Sequence, residues 1–297
     1  MLSPSPLRGI SFFVGGTLLL ASMDAVTKFL TTHYPVPLVV AARYVVHCLL
    51  MLAVLAPMHG VAFAKTRRTG LVLMRAGCLA AASLFFVLAL KRMPVAEASA
   101  ILFFAPLLVV VMAGPVLRER VGWHGWLAAL AGFGGLLLIA RPGAALDPVG
   151  VLLAAAGAVV TAGYQLLSRL LASTETTLAM LFHTALVGAL AFGAAVPSFW
   201  SGVQIAPPHV PLLLAIGALA GGGHYLLTAA YRHAHASTLA PLQYVQLVWA
   251  GLLGWLVFHH VPDAITLLGM AVVAASGAMV AVRSRLAARA LERAAEA

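Results

Sequence analysis

Residues 94–116 read PVAEASAILFFAPLLVVVMAGPV, and residues 236–258 read ASTLAPLQYVQLVWAGLLGWLVF. Each is an apolar run of membrane-spanning length, because a hydrocarbon slab about 30 Å thick takes about 20 residues of helix. The two also match in letters. Ala96-Glu97-Ala98-Ser99 opens the first and Ala234-His235-Ala236-Ser237 leads into the second, with Arg92 and Arg232 just ahead of them. They are the fourth and ninth of ten such runs: 9–31, 36–57, 70–90, 94–116, 122–140, 148–168, 177–197, 209–231, 236–258 and 262–282. Pro35, Pro37, Pro57, Pro94, Pro142, Pro148, Pro207, Pro208 and Pro262 punctuate the joints. The fifth and tenth runs are rich in Gly and Ala and close on Arg141 and Arg283. The ten therefore fall into two sets of five, and an odd number of spans turns the second set upside down relative to the first. The sequence predicts an all-α integral membrane protein, with ten transmembrane helices in two inverted five-helix repeats. The repeats are residues 1–145 and 146–283, and 284–297 form a cytoplasmic tail.

Composition excludes a soluble protein. Hydrophobic residues make up 63% of the 297 and charged residues 9%, against roughly a quarter charged in soluble domains. Sheet edges and irregular loops cannot face lipid, so helices are the form such a surface takes. The formal charge of +10 sits in short loops and the tail, so it reports orientation and gives no reason to expect nucleic acid. Twelve Lys and Arg fall on the side of the termini: Arg8, Lys65, Arg67, Arg68, Arg118, Arg120, Arg169, Arg232, Arg283, Arg285, Arg289 and Arg293. Lys91, Arg92 and Arg141 fall on the other. The bias predicts a multi-pass protein of the cell inner membrane with both termini cytoplasmic. The first run continues past Asp24 and reads as an uncleaved span. Cys48 and Cys78 lie within spans, as buried thiols do.

Several further segments carry a family likeness. They are Ser22-Met23-Asp24-Ala25-Val26-Thr27-Lys28 with Tyr34-Pro35-Val36, then Ala105-Pro106, Glu119-Arg120-Val121-Gly122-Trp123 and Arg141-Pro142-Gly143. Tyr164-Gln165, Thr174-Glu175 and Ala240-Pro241-Leu242-Gln243-Tyr244 follow in the second half. Over nearly its whole length the chain resembles the drug/metabolite transporter superfamily, EamA type. The resemblance implies a secondary carrier of small metabolites, in most members outward, in some an importer of vitamins such as riboflavin. The family pattern has a Gly-Glu pair after the fourth span of each half. Here Arg118-Glu119 stands in the first half and His259-His260 in the second.

Polar side chains at depth are costly in lipid and face the bundle interior or a cavity. Asp24 and Lys28 are four apart on one helical face, acid first, as in an ion pair. Counting from Gly9, Asp24 lies about 22 Å into the membrane, and Arg43 about 10 Å down the second span, at comparable depth. The three predict one cluster of net charge +1, suited to a substrate carboxylate. The alternative is a structural Asp24–Lys28 pair with Arg43 reaching to the outer interface. Gln243, Gln246 and Trp249, spaced three apart, predict a shared pocket wall with Tyr244. Phe104, Tyr164, Gln165, His224 and Tyr225 are further candidates. For proton coupling the candidates are Asp24, His47 near the middle of the second span, and Glu97, expected at the outer interface beside Arg92. His233 with His235, and His259-His260 with Asp263, lack metal-site spacing, so no metal is expected.

Inverted repeats recur in secondary transporters, whose sites lie near the midplane. The expectation is a carrier of a small polar metabolite, acting by alternating access and needing no cofactor. Its partners are that small molecule and the lipid bilayer, with a homodimer open to it. Family likeness favours export of an amino-acid-like or carboxylate-bearing compound, a metallophore included; import of a vitamin-like compound is the alternative. An integral-membrane enzyme is the rival of another class. Against it, the chain has no Gly-x-Ser-x-Gly, no paired carboxylates and no Walker motif.

Overall fold

Apolar runs bounded by proline become helices almost end to end. The computed structural model describes residues 6–60, 64–105, 107–109, 112, 123–140, 146–171, 174–199, 202–230, 233 and 240–296. Among these the first half gives α1 Pro6–Thr31, α2 Val36–His59, α3 Thr69–Arg92, α4 Val95–Leu102 and α5 Trp123–Ala140. The second gives α6 Pro148–Leu171, α7 Thr177–Phe199, α8 Val210–Ala230, α9 Val245–Phe258 and α10 Ala264–Glu296. The repeat motifs at Arg118-Glu119, Arg141-Pro142-Gly143 and Ala234–Ser237 lie outside the described residues, as do Arg232 and His235.

Six helices are long and apolar enough to cross a membrane alone: α1, α2, α3, α6, α7 and α8. These are the first three of each half. The fourth and fifth of each half carry shorter apolar stretches. The fold is all-α, with ten helices arranged as two inverted repeats.

Two spans read as continuous are broken, at matching places. The 94–116 run is helical to Leu102, turns at Phe103 and Phe104, whose N–H groups donate to Ser99 O and Ile101 O, and is helical again at Ala105 and Leu107–Val109. Pro106 explains the break, because proline has no N–H and its ring clashes with the carbonyl four residues earlier, that of Leu102. In the 236–258 run the described residues begin with a 3₁₀ turn, Ala240–Tyr244, before α9. The last span runs on without interruption through the tail, so α10 is 33 residues long. Helix starts are fixed by side chains that take up free N–H groups. Asp147 accepts from Val149, Thr176 from Ala179 and Asp263 from Thr266. Asp147, in a loop, also receives Arg92 at 2.8 Å, which holds its carboxyl below the usual carboxylate range.

The halves meet in pairs that a two-fold rotation exchanges. α1 packs on α8 as α6 packs on α3, and α1 on α9 as α6 on α4. α2 meets α8 as α7 meets α3, while α2–α7, α4–α9 and α5–α10 pair like with like. Glycine permits the closest crossings, as small residues do wherever packing in lipid holds spans together. A Cβ at Gly135 on α5 would stand 2.9 Å from the Gly269 oxygen of α10, and one at Gly269 would stand 2.7 Å from the Gly135 oxygen. Gly16 on α1 and Gly223 on α8 repeat the arrangement at 3.1 and 3.2 Å.

Gly269→Val would force α5 and α10 apart. It is expected to cost about 1–3 kcal/mol, read as a clear fall in the thermal-unfolding midpoint of purified protein in detergent. Gly77→Val, where a Cβ meets nothing within 4 Å, should leave the midpoint near wild type.

Candidate functional site

A cavity of about 180 Å³ lies in the seam between the halves. Asp24 of α1, Arg43 and His47 of α2, Thr184 of α7, His224 of α8 and Gln246 of α9 supply most of its polar lining. α1 and α2 bring Asp24 and Arg43 to it from adjacent helices, each about 10 Å below the face opposite the termini. Thr184 stands about 10 Å above the face bearing the termini, so the cavity occupies the middle of the bundle.

The charged groups are deeply buried and incompletely satisfied. Asp24 is 5% exposed and Arg43 6%. Asp24 interacts with Arg43 through charge, and the Gln246 amide lies near its carboxyl. Arg43 lays its guanidinium over the Tyr44 ring, 4.9 Å from the centroid, and its Nη2 has no partner. An arginine nitrogen left unpaired in a dry interior is costly, so a built-in vacancy for an acceptor stands beside a fixed carboxylate. The His47 and His224 rings lie nearly parallel, 6.3 Å apart, one from each half. Gly221 leaves room for the His47 ring, whose Cδ2 would lie 3.2 Å from a Cβ there.

Several predicted members stand elsewhere. Lys28 does not pair with Asp24. Its Nζ donates to the carbonyl oxygens of Leu90 at 2.8 Å and Met93 at 2.6 Å, closing the end of α3. The last turn of a helix offers unsatisfied oxygens and a partial negative charge, and a flexible ammonium reaches them readily. The expected net charge of +1 from Asp24, Lys28 and Arg43 is thereby reduced to a balanced Asp24–Arg43 pair. Arg43 does not reach to an interface. Glu97, in the first turn of α4, is 3% exposed, and its partner is His260, not Arg92. Arg92 is taken by Asp147.

The expected wall on the ninth span is also split. Gln246 lines the cavity, whereas Gln243, Tyr244 and Trp249 do not. Gln243 belongs to the 3₁₀ turn, with three residues per turn, so the α-helical face starting at Val245 does not run through it. Tyr244 packs against Phe103 and Gly277. Trp249 is half-buried with its Nε1 unpartnered. Phe104 belongs to the core against Phe133, Gln165 is half-buried off the cavity, and Tyr225 is 65% exposed on the outer surface.

Tyr164 serves a residue that the candidate set lacks. Arg75 on α3 is 4% exposed and donates to Tyr164 Oη at 2.7 Å, Ser168 Oγ at 2.6 Å, and Met180 O and Thr184 Oγ1 at 3.1 Å. All four acceptors belong to the other half. A lone arginine inside an apolar run was its visible signal. The remaining lining hydroxyls, Ser83 and Thr161, carry none, because such residues are ordinary in apolar helices.

The EamA-like transporter family model matches residues 7–141 and again 148–282. This chain belongs to that family. Among similar proteins, an S-adenosylmethionine uptake transporter of Rickettsia bellii is 24% identical, covering 89% of this chain and 90% of its own. A riboflavin transporter of Vibrio cholerae is 27% identical over 93% of each chain. A pseudopaline exporter of Pseudomonas aeruginosa is 26% identical over 88% of this chain and 91% of its own. The fold also matches a crystal structure at TM-score 0.67 and 23% identity, covering 95% of this chain and 98% of the other. The protein is a multi-pass membrane transporter of small molecules and not an enzyme.

Tyr164→Phe removes an acceptor from Arg75 without touching the cavity lining. It should lower stability by about 1–3 kcal/mol, seen in thermal unfolding. Tyr225→Phe, on the outer surface, should leave the unfolding curve unchanged.

Proposed function

We propose that this chain is an alternating-access carrier that exports a small, amino-acid-like metabolite bearing a carboxylate across the inner membrane. Residues 1–145 and 146–283 are the halves that rock, the tail at 284–297 anchors the cytoplasmic side, and both termini are cytoplasmic. The observation that carries the proposal is the buried Arg43 guanidinium, which lines the cavity with Asp24 and has an Nη2 without a partner. A substrate carboxylate completes Arg43 through charge-assisted hydrogen bonds, and Asp24 receives an ammonium. Gln246 orients the pair. Removing Lys28 from the cluster supports a zwitterion over a simple anion. Asp24 and His47 are the groups on which a coupling proton is carried across.

Size supports the same class. The cavity, at about 180 Å³, is below the range of about 300–1,000 Å³ typical for drug-sized ligands. It holds an amino-acid-sized solute or head group in this conformation, not a flavin-sized ring system. The relative named for S-adenosylmethionine, an α-amino acid about as large as a flavin, supports the chemistry of this class and not the size. The relative named for riboflavin stands for the alternative, import of a vitamin. The cavity is lined within one chain.

Arg43→Gln separates this reading from a structural one. Flux should fall about 10- to 100-fold, the worth of a charged hydrogen bond. Stability should also fall, because Asp24 is left without its counter-charge, so flux per folded protein is what decides. The measurement compares metabolites inside and outside cells carrying wild type or variant, alongside thermal unfolding of both proteins. A carboxylate-bearing amine accumulating inside the variant cells fits export; depletion inside reverses the direction. Unchanged flux per folded protein, with lowered stability, would return Arg43 to a structural role.

Asp24→Asn should insert normally and lose most of its flux in vesicles loaded with the compound so found. Undiminished flux would exclude Asp24 from both substrate binding and coupling.

A further inference from the structure

The two faces of the seam are closed by different chemistry. On the face bearing the termini, Glu175 accepts from the backbone N–H groups of Arg67 and Arg68 at 2.7–3.0 Å, and Arg75 donates to its four acceptors on α6 and α7. Neither link involves an imidazole. On the opposite face Arg92 pairs with exposed Asp147, and two further side-chain links between the halves run through imidazoles. Tyr34 Oη meets His209 Nδ1 at 2.8 Å, and Glu97 Oε1 meets His260 Nε2 at 2.7 Å.

The Glu97–His260 contact is built for one proton. Glu97 stands in the first turn of α4, with Oε1 on His260 and Oε2 buried without a partner. A carboxylate only accepts, so Nε2 carries a hydrogen and Nδ1 is left for a second. The His260 side chain is 39% exposed, so that nitrogen has access to water. His259 places it there, closing α9 at φ 53°, a left-handed conformation more usual for glycine, so that the chain folds back and His260 N–H reaches Gly254 O. From α1, Lys28 is the other charge acting on Glu97, and its Nζ is held by the carbonyls of Leu90 and Met93. From the end of α3, exposed Arg92 is paired with Asp147. Asp263, at the start of α10, caps its own helix. His33, packed on His209 with ring centroids 4.7 Å apart, His259 and exposed Lys91 are further titratable groups on this face among the described residues.

We propose that Glu97 and His260 form a proton site that latches the face opposite the termini. A proton on His260 Nδ1 converts a hydrogen bond into an ion pair across the seam and holds α4 against the end of α9. Loss of that proton leaves Glu97 with a neutral partner and an unsatisfied oxygen, and the face is freed to open. Imidazole is the side chain that changes charge between about pH 5 and 8, so the latch responds to the medium on its own side. The proposal rests on the alternating-access reading, but its test needs no substrate.

The test is hydrogen–deuterium exchange of the intact protein in lipid nanodiscs from pH 5.5 to 8.5, corrected for intrinsic rates. In wild type, protection of Val95–Ile101 should fall about tenfold as pH rises. Glu97→Gln should show low protection at every pH, as should His260→Gln. His260→Lys, which keeps a charge throughout, should stay protected across the range. The first turn of α3 should not respond in any variant. Protection that is flat in wild type, or that still follows pH in Glu97→Gln, would overturn the latch. Neither result depends on what Arg43 binds.

Discussion

Hydrocarbon offers no hydrogen bonds, so each polar side chain within these helices is satisfied by another helix or remains unsatisfied at a cost. Arg75 shows the first outcome and Arg43 the second. Arg75 spreads four hydrogen bonds over α6 and α7 and ties the halves together on one side. Arg43, one helix away, keeps a nitrogen without a partner while facing a cavity. Two buried guanidiniums in the same seam thus divide the work, one holding the structure and the other held ready for a ligand. The difference lies in their neighbours, because α6 and α7 present Tyr164, Ser168 and Thr184 to Arg75.

The two-fold relation organises the same seam geometrically. Spans four and nine, which pair across it, are the ones whose regular α-helix is interrupted. Broken helices at corresponding places in inverted repeats are a recurrent way to expose backbone and polar groups to a midplane site. Here the interruption at Phe103–Phe104 leaves Leu102 at the cavity, and the 3₁₀ turn before Val245 aims Gln246 into it. The glycine crossings of α5 with α10 and α1 with α8 bring the outer helices close enough for the centre to be enclosed.

The architecture was legible in the sequence because membrane helices announce themselves by length and apolarity, and the repeat by an odd number of spans per half. Asp24, Arg43, His47 and Gln246 were legible for a related reason, since polar residues deep in such runs need a purpose. Which of them meet was not. Lys28 is four residues from Asp24, but its long chain turns to the α3 carbonyls, which no helical wheel of α1 includes. Gln243 left the expected face because a 3₁₀ turn changes the period, and hydropathy is blind to that change. Arg75 was visible as a charge in a span and became significant only when α6 and α7 were seen packed beside it.

Glu97 and His260 carry the synthesis one step further. The family pattern puts an acid after the fourth span of each half, and in this chain the second half has histidine there. The structure places that histidine on a carboxylate from the other half, so the departure has a partner. In the sequence the exchanged chemistry stands at the matching positions, His235 and Glu119, both outside the described residues. Among the described residues, imidazoles take part in the side-chain links of the far side and not in those of the near side, so under the proposed latch the two sides respond differently to the media they face. With that latch, the proton concentration on the far side sets how readily that face opens, even though the folds of the two halves are equivalent.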